Sequence, residues 1–138
     1  MMKLCEEAER IMKERFGKDT VIALATVENA MPHVRYVNAW YEDGAFYTIT
    51  DARSNKMKHI ERHPAVAIAG EWFTAHGKGS SLGAFRREEN RRLAGILKSV
   101  FSAWIGNGHC DLDDAHTVIL RVELTDGLLL SHGKRYEF

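Results

Sequence analysis

The chain has 138 residues, of which 45% are hydrophobic and 28% charged, and its 19 lysines and arginines balance its 19 aspartates and glutamates. This length and composition are typical of one compact globular domain, which we expect to span residues 1–138. A formal net charge of zero provides no general field toward nucleic acid or an anionic membrane. Both classes of partner are therefore excluded, and any anion site must be local.

The sequence has no pattern typical of export or of a membrane span. Residues 1–7 are charged rather than apolar, and no run reaches the roughly 18 apolar residues that a membrane helix needs. The two cysteines, Cys5 and Cys110, have the spacing of neither a disulfide framework nor a zinc ribbon. We therefore expect a cytoplasmic protein with reduced thiols.

The first half of the chain predicts one helix, three antiparallel strands and a short second helix. Apolar residues recur at helical spacing up to Phe16, and Gly17 follows as a C-cap. Strands are predicted at 21–27, from about 33 to 41, and at 45–50. A turn at 28–32 joins the first two strands, and a tight Asp43-Gly44 turn joins the second and third. Ser54 then caps a helix of about two turns, which Pro64 ends.

The second half predicts two further hairpins with a helix between them. Segments 65–69 and 72–76 flank one turn, and glycines 77, 79 and 83 predict a loop after it. Apolar spacing predicts a helix from about residue 87 to 105. The segment 118–124 alternates as a strand, and 128–132 is expected to pair back after an Asp126-Gly127 turn. About seven strands with peripheral helices indicate a mainly β fold, a closed or nearly closed antiparallel barrel.

A cationic corner is the most informative chemical feature of the sequence. Arg35 lies on the second predicted strand, and Ser54 and Lys56 lie at the start of the second helix. A helix N-terminus, a hydroxyl and two full charges together suit a phosphate dianion. The alternative is that Ser54 is only an N-cap and both cations are solvated. Neither GxGxxG nor GxxxxGK[ST] occurs, so the dinucleotide and P-loop interpretations lack their glycine scaffolds.

The order of these motifs resembles a known family. Segments 33–38, Phe46-Tyr47-Thr48 and Ser54-Asn55-Lys56, followed by Ile60 and His63-Pro64, resemble the flavin-binding block of the pyridoxamine 5′-phosphate oxidase-like family. Within it, the general stress protein branch is most similar. The resemblance covers about residues 5–80, and 117–132 fits more loosely. It implies a split β-barrel that forms a homodimer, with FMN in a cleft between the two protomers.

The resemblance also implies roles for particular positions. The cofactor-binding residues that it implies are Arg35, Tyr36, Val37, Asn38, Tyr47, Thr48, Ser54, Asn55, Lys56, Trp72, Thr74 and His76. Of these, Arg35, Ser54 and Lys56 would hold the phosphate. The backbone of 36–38 would run along the isoalloxazine, and 47–48 would contact the ribityl chain and phosphate. The hairpin at 72–76 would reach the flavin of the other protomer, where an aromatic face can cover the ring.

Two departures from the family pattern narrow the expected activity. Trp40 stands where members that oxidise pyridoxamine 5′-phosphate carry a lysine, and their C-terminal substrate-binding arginine and histidine segment is missing. Oxidation of that substrate is therefore not expected. The loop before Ser54 is about two residues longer than in those members, so Arg53 is either an extra phosphate ligand or a solvated side chain, and the second is favoured.

The expected function is that of an FMN-dependent oxidoreductase with an unknown substrate. Bound FMN would carry out the electron transfer, and no side chain is nominated as a catalytic acid, base or nucleophile. The alternatives are a non-enzymatic flavin-binding or redox-sensing stress protein, and a relative that binds a deazaflavin or haem.

The histidines do not predict a metal site. The loop at 109–116 contains His, Cys and Asp, but its spacing matches no closed metal site, and an acidic solvated loop is favoured. His59 and His63 do not form HExxH and are expected at the surface. For His76, a donor to flavin or substrate and a satisfied histidine of the barrel both stay open.

Overall fold

The computed structural model describes residues 4–108 and 110–138, which form three α-helices and seven β-strands. The helices are α1 (Glu6–Phe16), α2 (Asn55–Arg62) and α3 (Arg91–Val100). The strands are β1 (Thr20–Glu28), β2 (Met31–Glu42), β3 (Ala45–Asp51), β4 (Ala65–Gly70), β5 (Phe73–Ala84), β6 (Thr117–Ser131) and β7 (Lys134–Glu137). None of these helices has the length and apolar character needed to cross a bilayer.

The strands form a closed antiparallel barrel. Their order is β3-β2-β1-β4-β5-β6-β7, and a further pairing of β3 with β6 closes six of them into a ring. Strand β7 extends the sheet by pairing with the last residues of β6. The expected mainly β split barrel with peripheral helices is therefore confirmed. Closure leaves β7 as the only described strand that pairs on a single side of the sheet.

Helix α1 covers one end of the barrel interior. Its apolar stripe is buried, and Phe16 is fully covered. The Phe16 ring lies 5.5 Å from the ring of Phe46 and 5.4 Å from the ring of Phe73, measured between centroids. Cys5 caps the helix, because its Sγ accepts a hydrogen bond from the Ala8 amide at 3.4 Å. The predicted first helix is confirmed.

A second hydrophobic cluster lies outside the barrel, between β3 and α3. It contains Trp40, Ala45, Tyr47, Phe85, Leu97, Phe101 and Ile119. Side chains alternate along each strand, so Phe46 points into the barrel while its neighbours Ala45 and Tyr47 point toward α3. The barrel wall is thus apolar on both faces at β3.

Strand β2 begins earlier than the sequence predicts. The turn contains only Asn29 and Ala30, both with positive φ (51° and 62°), as in a tight two-residue hairpin. Pro32 is therefore part of the strand, opposite Val27. This position is allowed because β3 pairs only with Trp40–Glu42 of β2, so the first part of β2 has a free side where no amide donor is needed.

The loop predicted after residue 76 is wrong, because β5 continues to Ala84. Its glycines are sites of close packing. A Cβ at Gly77 would lie 2.7 Å from Val122 Cγ1, and one at Gly79 would lie 3.0 Å from Ile60 Cγ2. The pairing with β6 also shifts register directly after His76, which is where a barrel strand bends.

The turn predicted at Asp126-Gly127 is also wrong. Strand β6 runs through both residues without a break, and the hairpin occurs at His132-Gly133, where φ is 47° and 77°. A Cβ at Gly127 would lie 2.6 Å from Phe138 Cζ, so this glycine serves packing rather than a turn.

The third predicted helix is shorter than its apolar pattern. A 3-10 turn at Glu88–Asn90 precedes α3, and residues 101–106 form turns after it. The Asn90 side-chain amide fixes the start, since it donates to Leu82 O and Ala84 O at 2.9 Å each. Beyond the helix, the Trp104 indole donates to Asp19 Oδ2 at 3.2 Å.

Candidate functional site

Arg35 is held at one end of the barrel by neutral oxygens. Its Nη1 donates to Thr26 Oγ1 at 2.7 Å, to Leu24 O at 3.3 Å and to His33 O at 3.4 Å. Within the described residues, Nε and Nη2 donate to no protein atom. The partly buried guanidinium therefore presents unused N–H donors while one of its nitrogens is fixed.

Lys56 lies beside this guanidinium. It is the second residue of α2, and its Nζ donates to Thr50 Oγ1 at 2.7 Å. Burial lowers the pKa of Lys56, and the positive charge of Arg35 lowers it further, while Asp51 acts in the opposite direction. The effect of Arg35 on Lys56 shows that these two like charges lie near each other in one partly buried corner.

The corner lacks a carboxylate partner. In the part of the chain that the structure describes, no carboxylate oxygen lies within 4.0 Å of a charged nitrogen of Arg35 or Lys56. By contrast, Arg62 pairs with Glu28 at 2.8 Å. Burying a charge is costly unless an opposite charge compensates it. The arrangement thus favours an anion that comes from outside the chain.

Ser54 completes the corner as the N-cap of α2. It has an extended backbone (φ −66°, ψ 156°), and its Oγ accepts from the Met57 amide at 3.4 Å. The predicted cap is confirmed. Asn55 follows as the exposed first residue of the helix. The N-terminal amides of α2 add partial positive charge on the side of Lys56.

The other predicted residues of β2 and β3 are divided between the two faces of the sheet. Tyr36 is 80% exposed on the face opposite Arg35, whereas Val37 packs against the barrel core. The Asn38 amide donates to Asp19 Oδ1 at 3.0 Å. The side chains of Tyr36 and Asn38 therefore point away from Arg35.

The two predicted residues of β3 also diverge. Thr48 is buried, and its Oγ1 donates to the Asn38 carbonyl at 2.6 Å. Tyr47 points instead into the second cluster, where its hydroxyl accepts from Arg121 Nε at 3.3 Å. The Tyr47 side chain is thus separated from the cationic corner, while Thr48 shares a strand face with Thr50, the partner of Lys56.

A surface centred on four alanines lies on the outside of β2, β1, β4 and β5. Two rows of paired residues cross it: Tyr36–Ala23–Ala69–Thr74 and Val34–Ala25–Ala67–His76. We call these eight residues the outer alanine face. Val34 is 71% exposed, and the four alanines between the two edges are exposed or partly exposed. Predicted residues Tyr36, Thr74 and His76 therefore share one surface.

The hairpin residues have defined surroundings. His76 Nδ1 lies 2.8 Å from Asp126 Oδ1 on this exposed surface, which makes it a satisfied histidine on the outside of the barrel. Trp72 occupies the β4–β5 turn with φ 52° and is 66% exposed. An exposed indole in a strained turn conformation is a feature of contact sites.

Arg53 is bound to an acidic neighbour. Its Nε and Nη2 donate to the two carboxylate oxygens of Asp51, at 3.0 and 2.8 Å. These hydrogen bonds hold the pKa of the Asp51 carboxyl well below its usual range. The favoured interpretation, a side chain exposed to solvent, agrees with its surroundings.

Sequence reasoning missed three polar residues of the site: Thr26, Thr50 and His59. The expectation that His59 lies at the surface is wrong, because it is 7% exposed and its Nδ1 lies 2.8 Å from Thr26 Oγ1. The helical turn of α2 directs it toward β1, whereas His63 at the C-cap is exposed. Thr50 could have been found, because it alternates with Thr48 on the same face of β3.

The acidic loop near residue 110 shows only local contacts. His109 lies outside the described residues. Asp114 Oδ1 accepts from the His116 amide at 2.8 Å, and the His116 ring lies 3.1 Å from the same oxygen. Within the described residues, no three His, Cys, Asp or Glu side chains are grouped as metal ligands.

Comparison with known proteins gives consistent results for sequence and fold. The family model described as pyridoxamine 5′-phosphate oxidase matches residues 8–128. General stress protein 26 of Bacillus subtilis (strain 168) is 26% identical over 114 residues, which are 82% of this chain and 81% of that protein.

Two solved structures extend the comparison of the fold. A FAD-binding protein from Mesorhizobium loti has a TM-score of 0.68 at 16% identity, covering 86% of this chain and 90% of its own. The heme storage protein HutZ from Vibrio cholerae has a TM-score of 0.65 at 17% identity, covering 90% and 92%. At such identities these structures show that the fold is shared, and no more.

Proposed function

Because the chain belongs to the pyridoxamine 5′-phosphate oxidase family, we propose that it binds FMN, with the phosphate at Arg35, Ser54 and Lys56. Bound FMN would supply electron-transfer chemistry, and the chain's own residues would bind and orient it. We further propose that the protein is a flavin-dependent oxidoreductase acting on a small-molecule substrate.

The observation that carries this proposal is the uncompensated pair of cations. Burial lowers the pKa of both Arg35 and Lys56, and the charge of Arg35 lowers the pKa of Lys56 further. Neither cation has a carboxylate partner within 4.0 Å among the described residues. A phosphate dianion between them would offset the cost of burying the two charges, and it would accept hydrogen bonds from the unused guanidinium N–H groups. The half-exposed Thr50 hydroxyl lies on the adjacent strand and suits contact with the polar ribityl chain.

Trp40 argues against pyridoxamine 5′-phosphate as the substrate. Its side chain is buried in the second cluster, with its ring 5.9 Å from the ring of Tyr47. It therefore points away from the cationic corner and offers no cation to a second phosphate. We therefore propose that the substrate has no phosphate group at the position of Trp40.

A direct test is the visible spectrum of the purified protein, followed by titration with FMN and riboflavin. FMN is expected to bind much more tightly than riboflavin, which lacks only the phosphate. Micromolar or tighter binding of a deazaflavin or haem, without binding of FMN, would refute the proposed cofactor. Reoxidation of the reduced protein by candidate acceptors tests the oxidoreductase activity separately, and a flavin that no acceptor reoxidises would indicate a non-enzymatic binding protein.

We also propose a homodimer, formed through the outer alanine face. The small alanine side chains, edged by the exposed Val34 and Tyr36, are suited to close contact with a second copy. It would bring Trp72, Thr74 and His76 of one protomer toward the cofactor of the other.

The dimer has its own test. The wild-type protein is expected to have twice the chain mass of 15.7 kDa in light scattering. Tyr36→Glu places a charge on the outer alanine face and is expected to give monomers. Lys58→Glu, at an exposed position of α2, should leave the mass unchanged. A wild-type monomer at micromolar concentration would contradict this proposal without affecting the phosphate site.

A further inference from the structure

Behind Arg35, a chain of hydrogen bonds leads away from the cationic corner into the protein. Arg35 Nη1 donates to Thr26 Oγ1 at 2.7 Å, and the same oxygen lies 2.8 Å from His59 Nδ1. Thr26 is completely buried and His59 nearly so. These residues come from β2, β1 and α2, so the chain joins three elements at the corner.

The chemistry of the three groups fixes the direction of each proton. A guanidinium only donates, so Thr26 Oγ1 must accept from Arg35. The buried hydroxyl then has one proton to give, and His59 Nδ1 is the acceptor within reach. The ring proton of His59 therefore resides on Nε2, on the side of Glu28, whose Oε2 lies 3.8 Å away. Arg62 holds that carboxylate at 2.8 Å.

A neutral His59 ring agrees with its surroundings. Burial lowers the pKa of His59, and the nearby His33 lowers it further, followed by smaller effects of Arg35 and Arg62 that Glu28 opposes. A second proton on the ring would put an N–H donor against Thr26 Oγ1 and leave the threonine hydroxyl proton without its acceptor.

From this geometry we propose that Thr26 and His59 are positioning residues, which fix Arg35 so that its unused N–H groups face a phosphate-type anion. The identity of that anion as FMN rests on the proposed function, but the hydrogen-bond chain itself does not. Thr26 is β-branched and buried, so its side chain has little rotational freedom. Only the direction of its hydroxyl proton is left to set, and His59 Nδ1 sets it.

The flavin test compares matched variants at each position. Thr26→Val removes the hydroxyl at nearly constant shape, and Thr26→Ser restores it. Losing one buried hydrogen bond to Arg35 is expected to weaken FMN about tenfold relative to wild type, with riboflavin unchanged. Thr26→Ser should recover most of the loss. If the ratio of FMN affinity to riboflavin affinity in Thr26→Val equals that of wild type, the inference is overturned and the proposed function is left standing.

The same comparison at His59 separates positioning from folding. His59→Asn keeps an acceptor near the place of Nδ1, whereas His59→Leu keeps bulk and removes it. We expect the ratio of FMN affinity to riboflavin affinity to be preserved in the first variant and reduced in the second. Equal ratios in both variants would contradict it, even if both lose stability.

A third measurement needs no flavin. The ¹⁵N signals of His59 in uniformly labelled protein should show an unprotonated Nδ1 at neutral pH, and inorganic phosphate should shift them in wild type but not in Thr26→Val. A protonated Nδ1, or identical shifts in both proteins, would refute the inference. If phosphate gives the expected shifts but FMN does not bind, only the proposed cofactor fails.

Discussion

Replacing Lys56 with methionine gives the sharpest test of the cationic corner. The substitution keeps an aliphatic side chain of similar length and removes only the charge. One charge-assisted hydrogen bond contributes about 1.5–3 kcal/mol, so FMN affinity should fall about ten- to 150-fold. Riboflavin affinity should stay within twofold of wild type, because riboflavin has no phosphate for Lys56 to contact. Fluorescence quenching of each flavin measures both dissociation constants.

Without ligand, the same variant should not lose stability. Because burial and Arg35 lower the pKa of Lys56, the folded protein holds its charge less favourably than the unfolded chain does. Thr50, which is half-exposed, can replace the lost hydrogen bond with water. The melting temperature of the free protein should therefore stay the same or rise in Lys56→Met.

The control is Lys58→Met, two residues along α2, where the lysine is exposed. It should change neither FMN affinity nor the melting temperature. Equal losses of FMN and riboflavin affinity in Lys56→Met would refute the phosphate assignment. A clear fall in the melting temperature of the free protein would show that Lys56 stabilises the fold without an anion.

Three other predictions concern charge, packing and pH. Arg53→Gln should leave FMN affinity within twofold, because Arg53 is bound to Asp51; a tenfold loss would make it a phosphate ligand. Gly127→Ala should lower the free energy of unfolding by about 1–3 kcal/mol in urea denaturation, since its Cβ would lie 2.6 Å from Phe138 Cζ. Because burial lowers the pKa of His59, the folded protein binds that proton at lower pH than the unfolded chain. The stability advantage of wild type over His59→Asn should thus be full above about pH 6.5 and shrink as the pH falls; a constant difference would contradict it.

The sequence predicted the fold well where local chemistry decides it. Asp43-Gly44 is a strong hairpin signal, and both residues have positive φ in the structure. Ser54 is the N-cap that its position before a short apolar pattern indicates. In each case the residues that form the element also determine its boundary, so no distant contact was needed.

Prediction failed at glycines, which occur both in turns or loops and at points of close packing inside strands. In the sequence, Gly77 predicts a loop and Gly127 a turn, but both lie inside long strands. A Cβ at Gly77 would lie 2.8 Å from Glu123 O on the neighbouring strand. That requirement comes from barrel closure, which joins residues far apart in sequence, and no local window contains it.

The site shows the same division. Arg35, Ser54 and Lys56 form a recognisable pattern because each is charged or stands at a helix start. Thr26 and His59 were missed, since a threonine on an alternating strand and a histidine on a short helix are both common. Their significance comes from a contact 33 residues apart in sequence.

The two faces of β2 carry different side chains, so the register of this strand must be fixed. Arg35 points toward the cationic corner, while Tyr36, the next residue, points to the outer alanine face. Because side chains alternate with a period of two, a register slip of one residue would exchange them, placing an aromatic ring at the cationic corner and a guanidinium on the outer alanine face. Two-residue turns with positive φ at both ends of the strand oppose such a slip, since each turn fits a single register. Lengthening the Asn29-Ala30 turn by one residue should therefore weaken FMN binding and dimer formation together, although neither residue belongs to either surface.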